Sequence, residues 1–419
     1  MGNNSNKIKL CSLILVTLPI FGQYSSFIPG VSLGDLLLLF VMLTIIINKN
    51  LKINIRKNRV LCIFWYYALI SSLVSFLFQQ VFYLKSCTRF IRFSFYVLAI
   101  ILLTSEVFYK EHLINYYRIL SLLISIYIIL QFFIYKIFGI LLPIKILPLE
   151  WIDGRVYGTQ EALLWASVFY LRPSGIFAEP GYAAQYLIPG VLLSLYGWYD
   201  ISLKNNKIRD FVIILSAIIL TTSSQGLYLS LFIVFVYIIQ RFAERNTLDN
   251  MMNNVIIVIL GLFVFVFFIN SIIFERSVVY VLNNIRGGST GLRIFRGIAV
   301  YLKLPLLYKV IGVGHGNIGN YVINNNITTI YDPMPLDLVS ADYTNAISQS
   351  LLYYGIIGLV LMTKYYISII KKSSMEIKPL TIVFFMMTFI SSVFFNLTTI
   401  FYMILILSSE VLNNKKKVI

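Results

Sequence analysis

The sequence predicts an all-α polytopic membrane protein, and three observations carry that prediction. Of 419 residues, 59% are hydrophobic and only 12% are charged, against about 25% charged in a typical soluble domain. The apolar residues also gather in runs of about 20, the length that crosses roughly 30 Å of hydrocarbon. A soluble protein cannot hide so much apolar surface behind so few charges, which excludes a soluble enzyme, a disordered chain and a disulfide scaffold.

Twelve runs between polar breaks predict twelve helices, over 9–27, 31–48, 60–82, 91–108, 114–138, 182–199, 211–224, 226–240, 254–274, 344–363, 379–395 and 397–411. The first reads as a span rather than a removed signal peptide, because no small-residue cleavage site follows it. The second opens on Ser32 and Asp35, a Ser-x-x-Asp capping pattern. At the outer end of the fourth, Lys85, Arg89 and Arg92 are spaced to face one way, either snorkelling to headgroups or forming a basic rim for a lipid phosphate. The stretch 211–240 reads as two short spans or as one long helix, and is divided at Thr221–Gly226, a polar cluster out of place against lipid.

Basic residues orient these runs. With the amino terminus in the cytoplasm, 21 of the 34 Lys and Arg residues fall in inner connections, and both termini are cytoplasmic. The net charge of +17 is therefore chiefly a topology signal. It does not indicate nucleic-acid binding, since no basic patch sits on a soluble domain. Cys11, Cys62 and Cys87 show no metal-ligand spacing, and His112 and His315 are the only histidines, so no metal or cofactor is expected.

The chain reads as a single integral membrane domain, 1–419, with two long outer loops, 141–181 and 275–343. Loops of that length usually carry function. The first ends in Arg172-Pro-Ser-Gly-Ile-Phe-Ala-Glu179-Pro-Gly-Tyr182, whose prolines and glycines make a rigid lead into the sixth helix. It sets Arg172 and Glu179 at the outer face, as an interfacial ion pair or as an anion site beside a carboxylate base. The second contains Arg286-Gly-Gly-Ser-Thr-Gly-Leu-Arg293-Ile-Phe-Arg296. Arg293 and Arg296 share a helical face, and arginines beside a glycine-rich turn suit phosphate or pyrophosphate; an amphipathic helix with solvated arginines is the plainer alternative. His315 lies in Ile311-Gly-Val-Gly-His-Gly-Asn317, as a surface or a functional histidine. Asp342 reads as a cap-region residue before the tenth helix.

Four elements resemble the O-antigen polymerase (Wzy-type) and O-antigen ligase group of bacterial membrane glycosyltransferases. Arg172-Pro-Ser-Gly175-Ile-Phe177-Ala-Glu179-Pro180 is similar to that group's Arg-x-x-Gly-x-Phe-x-Glu-Pro segment. Thr221–Gly226 is similar to its Ser-Arg-Gly-like turn, with Gln225 where Arg is common. The third element is Arg293 and Arg296 followed by Ile311-Gly-Val-Gly314, and the fourth is Asn345 followed by Tyr354-Gly355-Ile-Ile-Gly358-Leu359. The likeness covers 170–360 by motif.

The resemblance implies a GT-C-like membrane fold in the bacterial inner membrane. It also implies substrates made of glycan repeat units linked to undecaprenyl pyrophosphate, joined at the periplasmic face by inverting, metal-independent transfer. Candidate catalytic residues are Glu179 as base, His315 as second choice, and Arg172 and Arg296 stabilising the leaving pyrophosphate. Arg293, Arg286, Arg89 and Asn345 are further candidate substrate ligands. Membrane lipids and a chain-length regulator protein are the expected partners. Ligases of the group typically carry a histidine shortly before the tenth-helix asparagine; Ser340–Asn345 has none, which favours the polymerase. The alternatives are a ligase or a flippase for lipid-linked oligosaccharides, although charges clustered in unequal outer loops fit a transporter poorly.

Overall fold

The computed structural model describes residues 2–48, 58–79, 84–105, 110–146, 148–152, 172–196, 207–243, 291–332, 342 and 344–416. Among these there are helices and two isolated β-bridges but no strands. The helices are α1 Gly2–Phe21, α2 Leu33–Asn48, α3 Arg59–Gln79, α4 Leu84–Ser105, α5 Lys110–Phe138, α6 Pro180–Leu195, α7 Lys207–Leu220 and α8 Ser224–Ala243. After a π-helical turn, Gly291–Arg296, come α9 Gly297–Lys303, α10 Leu306–Ile311, α11 Ile318–Asn324, α12 Ala346–Lys372, α13 Lys378–Ile390 and α14 Leu397–Lys416. Eleven of the predicted runs coincide with helices, their ends displaced by up to nine residues; the run 254–274 lies outside the described residues.

Among the described residues, four helices are long and apolar enough to cross a membrane: Arg59–Gln79, Leu84–Leu103, His112–Phe138 and Ala346–Lys372. Several others are apolar but shorter. At 1.5 Å per residue α6, α7 and α13 measure about 24, 21 and 20 Å, less than the roughly 30 Å of a hydrocarbon layer.

α14 packs against α1, α4, α5 and α13, and Ile400, Phe401, Tyr402 and Leu405 on it are buried. α6 is buried without interruption from Ala183 to Leu195, as expected of a helix that is apolar all round. Ring contacts lock the two together: Tyr186 stacks on Phe401 at 5.2 Å, and the Tyr402 hydroxyl donates to the Gln185 carbonyl at 2.7 Å.

Three breaks shape one end of the bundle. α7 and α8 separate at 221–223, where Thr222 adopts φ 51°, the place the polar cluster marks. Residues 391–396 join α13 to α14. The third break is inside α12, where Gly355 has φ 66° and ψ −168°. It frees carbonyls that the turn after α10 satisfies: Val313 N–H donates to Leu352 O at 2.8 Å and Gly314 N–H to Tyr353 O at 3.1 Å. The approach is backbone to backbone. A Cβ on Gly355 would strike the Val310 carbonyl, and one on Gly312 (φ 85°) the Tyr353 carbonyl.

α3 holds the other side of that turn with polar residues at every fourth position. The Tyr67 hydroxyl reaches Tyr354 O at 3.1 Å, Ser71 the carbonyl of Ile311, Ser75 that of Gly312 at 2.8 Å and Gln79 that of Val313 at 2.9 Å. The third and fourth sequence elements are thus one packing unit.

Candidate functional site

The Arg172–Tyr182 segment is clamped from both sides. Gln131 on α5 exchanges two hydrogen bonds with Gly175, accepting from its N–H at 2.8 Å and donating to its carbonyl at 3.0 Å. Gln23, just past α1, accepts from Ala178 N–H at 2.8 Å, while Phe177 is fully buried. Pro180 opens α6, and Glu179 stands at its N-cap in extended conformation with its carboxylate making no capping bond. A carboxylate there is favoured by the helix dipole, and its oxygens are turned to Arg293, 3.6 Å away.

Arg172 is exposed and donates through Nε to the Thr222 hydroxyl at 2.8 Å. The first sequence element therefore meets the second through Arg172 and the third through Glu179. Arg293 is fixed from behind, its carbonyl accepting from Asn345 N–H at 3.0 Å. Asn345 caps α12: its Oδ1 accepts from Ser348 N–H at 2.7 Å and its Nδ2 donates to Phe389 O at 2.8 Å.

The other candidates have different surroundings. Arg296 is completely buried, with Nε on Asp332 Oδ1 at 2.5 Å, so it braces the π turn from inside rather than presenting its charge at a surface. Arg89 donates to Asp342 at 2.6 Å and to Gly316 O at 3.0 Å, tying α4 to the turn before α11. His315 is buried within 5.1 Å of the Phe93 ring and 4.8 Å of Tyr353, with Nδ1 2.6 Å from the Tyr354 hydroxyl. Burial, reinforced by the Arg89 charge, lowers its pKa to about 3, which keeps the imidazole neutral. Lys85 is exposed and Arg286 lies outside the described residues.

A cavity of about 290 Å³ opens beside Glu179, near the lower end of ligand-site volumes. Its walls come from the end of α1, the start of α2, the middle of α4, the start of α6 and the 391–398 connection. Trp151 closes one side, stacked on Tyr24 at 4.6 Å and held where Ile152 N–H meets Gln23 O at 2.9 Å. Arg92 on α4 also lines the cavity. The Ser32–Asp35 capping box is present, with Ser32 N–H on Asp35 at 2.9 Å and Asp35 N–H on Ser32 Oγ at 3.1 Å. Asp35 has a second task, accepting from Arg92 and from the Tyr96 hydroxyl.

Asp332, the Arg92–Asp35–Tyr96 group and the α3 ladder were not singled out by motif. Only the ladder left a signal, Tyr67, Ser71, Ser75 and Gln79 at a four-residue spacing in an apolar run. No three His, Cys, Asp or Glu side chains gather as a metal site among the described residues. The chain matches no protein-family model and no curated protein sequence.

Proposed function

We propose that this protein is a surface-polysaccharide polymerase of the bacterial inner membrane. It would join oligosaccharide repeat units carried on undecaprenyl pyrophosphate. The observation that carries the reading is Glu179 on the wall of one cavity, paired at 3.6 Å with Arg293 from a segment distant in sequence. Twelve spans with both termini in the cytoplasm would put that cavity on the periplasmic side, where the bilayer delivers both lipid-linked substrates.

The chemistry follows from the charges. An acceptor sugar hydroxyl attacks the anomeric carbon of the donor, a new C–O bond forms, and the bond from that carbon to the pyrophosphate oxygen breaks with its electron pair. Glu179 takes the hydroxyl proton, a role open to a carboxylate that caps nothing. Arg293 and Arg172 steady the charge that develops on the leaving pyrophosphate. Arg296 and Asn345 act through Arg293, by fixing the turn that carries it. The Trp151 wall and the amides of Gln23 and Gln185 suit a sugar, which offers an apolar ring face and many hydroxyls.

In a strain whose long polysaccharide ladder depends on this gene, Glu179→Gln and Arg172→Ala reduce the ladder to single capped units while membrane levels of the protein hold. A full-length ladder from Glu179→Gln removes the carboxylate from the mechanism.

A further inference from the structure

The cavity has a second charged wall that the four motif elements do not include. Arg92 reaches it from α4 with its side chain 39% exposed, while Asp35 behind it is 8% exposed. Asp35 is already occupied by Ser32 N–H, the Tyr96 hydroxyl and Arg92 itself. Its carboxylate is therefore a buried brace that sets the direction of the guanidinium, and not a group competing for ligand. Such pairing fixes geometry while leaving the other guanidinium N–H groups to act.

Asn396 to Thr398 at the start of the 20-residue α14 line the cavity, so that helix dipole presents its positive end, whereas at the start of α2 the Ser32 and Asp35 N–H groups are taken up by their own capping box. Tyr186 also lines the cavity; it is 1% exposed, and its hydroxyl has no hydrogen-bond partner among the described residues. A buried hydroxyl without a partner is costly, and a bound acceptor would relieve it. Among the described residues, the carboxylate lining the cavity is that of Glu179, whose oxygens are turned to Arg293.

We infer that Arg92, braced by Asp35, forms with Tyr186 and the start of α14 an oxyanion subsite inside the cavity for a phosphate or diphosphate group. The assignment deepens the polymerase reading and rests on it for the identity of the ligand as a diphosphate ester. It gives the cavity a place for the diphosphate that one of the two lipid-linked substrates carries.

The test is calorimetric titration of the full chain in lipid nanodiscs with inorganic pyrophosphate and, in parallel, with farnesyl pyrophosphate. Arg92→Gln weakens binding about tenfold or more, the worth of a charged hydrogen bond. Lys85→Gln, the same charge change on an exposed position of the same helix, leaves it within about twofold. Tyr186→Phe deletes a hydroxyl that supports nothing in the fold, so it weakens binding severalfold without moving the melting temperature. Tighter binding of the farnesyl ester assigns the lipid-linked source, and equal binding the free anion. Absence of saturable binding by the wild type overturns the subsite, as does affinity in Arg92→Gln and Tyr186→Phe equal to that of Lys85→Gln. Pyrophosphate binding that follows Arg92 in a strain with no dependence of ladder length on the gene would sink the polymerase reading and leave the subsite standing.

Discussion

Arg296 and Asp332 share an ion pair from which water is excluded, with side chains 0% and 6% exposed. Removing one partner strands a buried charge, a loss of about 3–5 kcal/mol. Arg296→Ala is thus predicted to lower the yield and melting temperature of the detergent-solubilised protein, and Asp332→Ala to do the same. Chain growth lost without any fall in stability would instead return Arg296 to the substrate. His315 makes a pH-dependent prediction. Its folded pKa is about 3, below the usual 6.5, so the unfolded chain binds a proton that the folded one refuses. The stabilisation is complete above pH 6.5 and declines as pH falls, by about 2 kcal/mol at pH 5 from a slope of 1.36 per pH unit. Thermal unfolding at pH 7 and pH 5 should show this drop, and His315→Asn should remove it; an unchanged pH dependence in the variant would contradict the burial of a neutral imidazole.

The turn between α10 and α11 and the break in α12 are complementary halves of one element. Gly355→Ala forces a side chain into φ 66° and against the Val310 carbonyl, and should cost at least about 1–3 kcal/mol. Gly30→Ala, also at positive φ (76°) but with nothing within 4 Å, should cost only the smaller backbone term, so the difference in melting temperature between the two variants measures the collision. Elements of this kind divide what a sequence reveals from what it conceals. Helix positions were legible because apolar runs and breakers are local, and Thr221–Gly226 broke where its polarity said it would. Arg172, Glu179 and Arg293 could be singled out because each stands among glycines or prolines that mark a built turn. Their partners could not be read, since the proximity of Glu179 to Arg293 depends on how two segments distant in sequence fold across the bundle. Arg92 looked like a headgroup anchor for the same reason, as its brace, Asp35, sits 57 residues earlier on another helix. The burial of Arg296 was hidden too, because an arginine beside a glycine-rich turn has the same local pattern whether it faces a ligand or an aspartate.

At the scale of the whole molecule, the proposed topology sets the two ends of the bundle in different compartments. In a background lacking the three native cysteines, Phe27→Cys in the exposed α1–α2 turn and Met375→Cys in the exposed α12–α13 turn test it directly. An impermeant maleimide should label Phe27→Cys in intact spheroplasts and Met375→Cys only after permeabilisation; the reverse pattern would turn the cavity to the cytoplasm and remove it from periplasmic chemistry. Under the proposed function, the cavity lined by Glu179 and the braced Arg92 is where two lipid-linked saccharides would meet. The most direct test is reconstitution of the purified chain in proteoliposomes with lipid-pyrophosphate-linked repeat units as the sole substrate, followed by gel resolution of the products. Polymer should lengthen with time for the wild type and slow by roughly 10²–10⁴-fold in Glu179→Gln. Repeat units that stay single with the wild type, or polymer formed equally well by Glu179→Gln, would contradict the assignment.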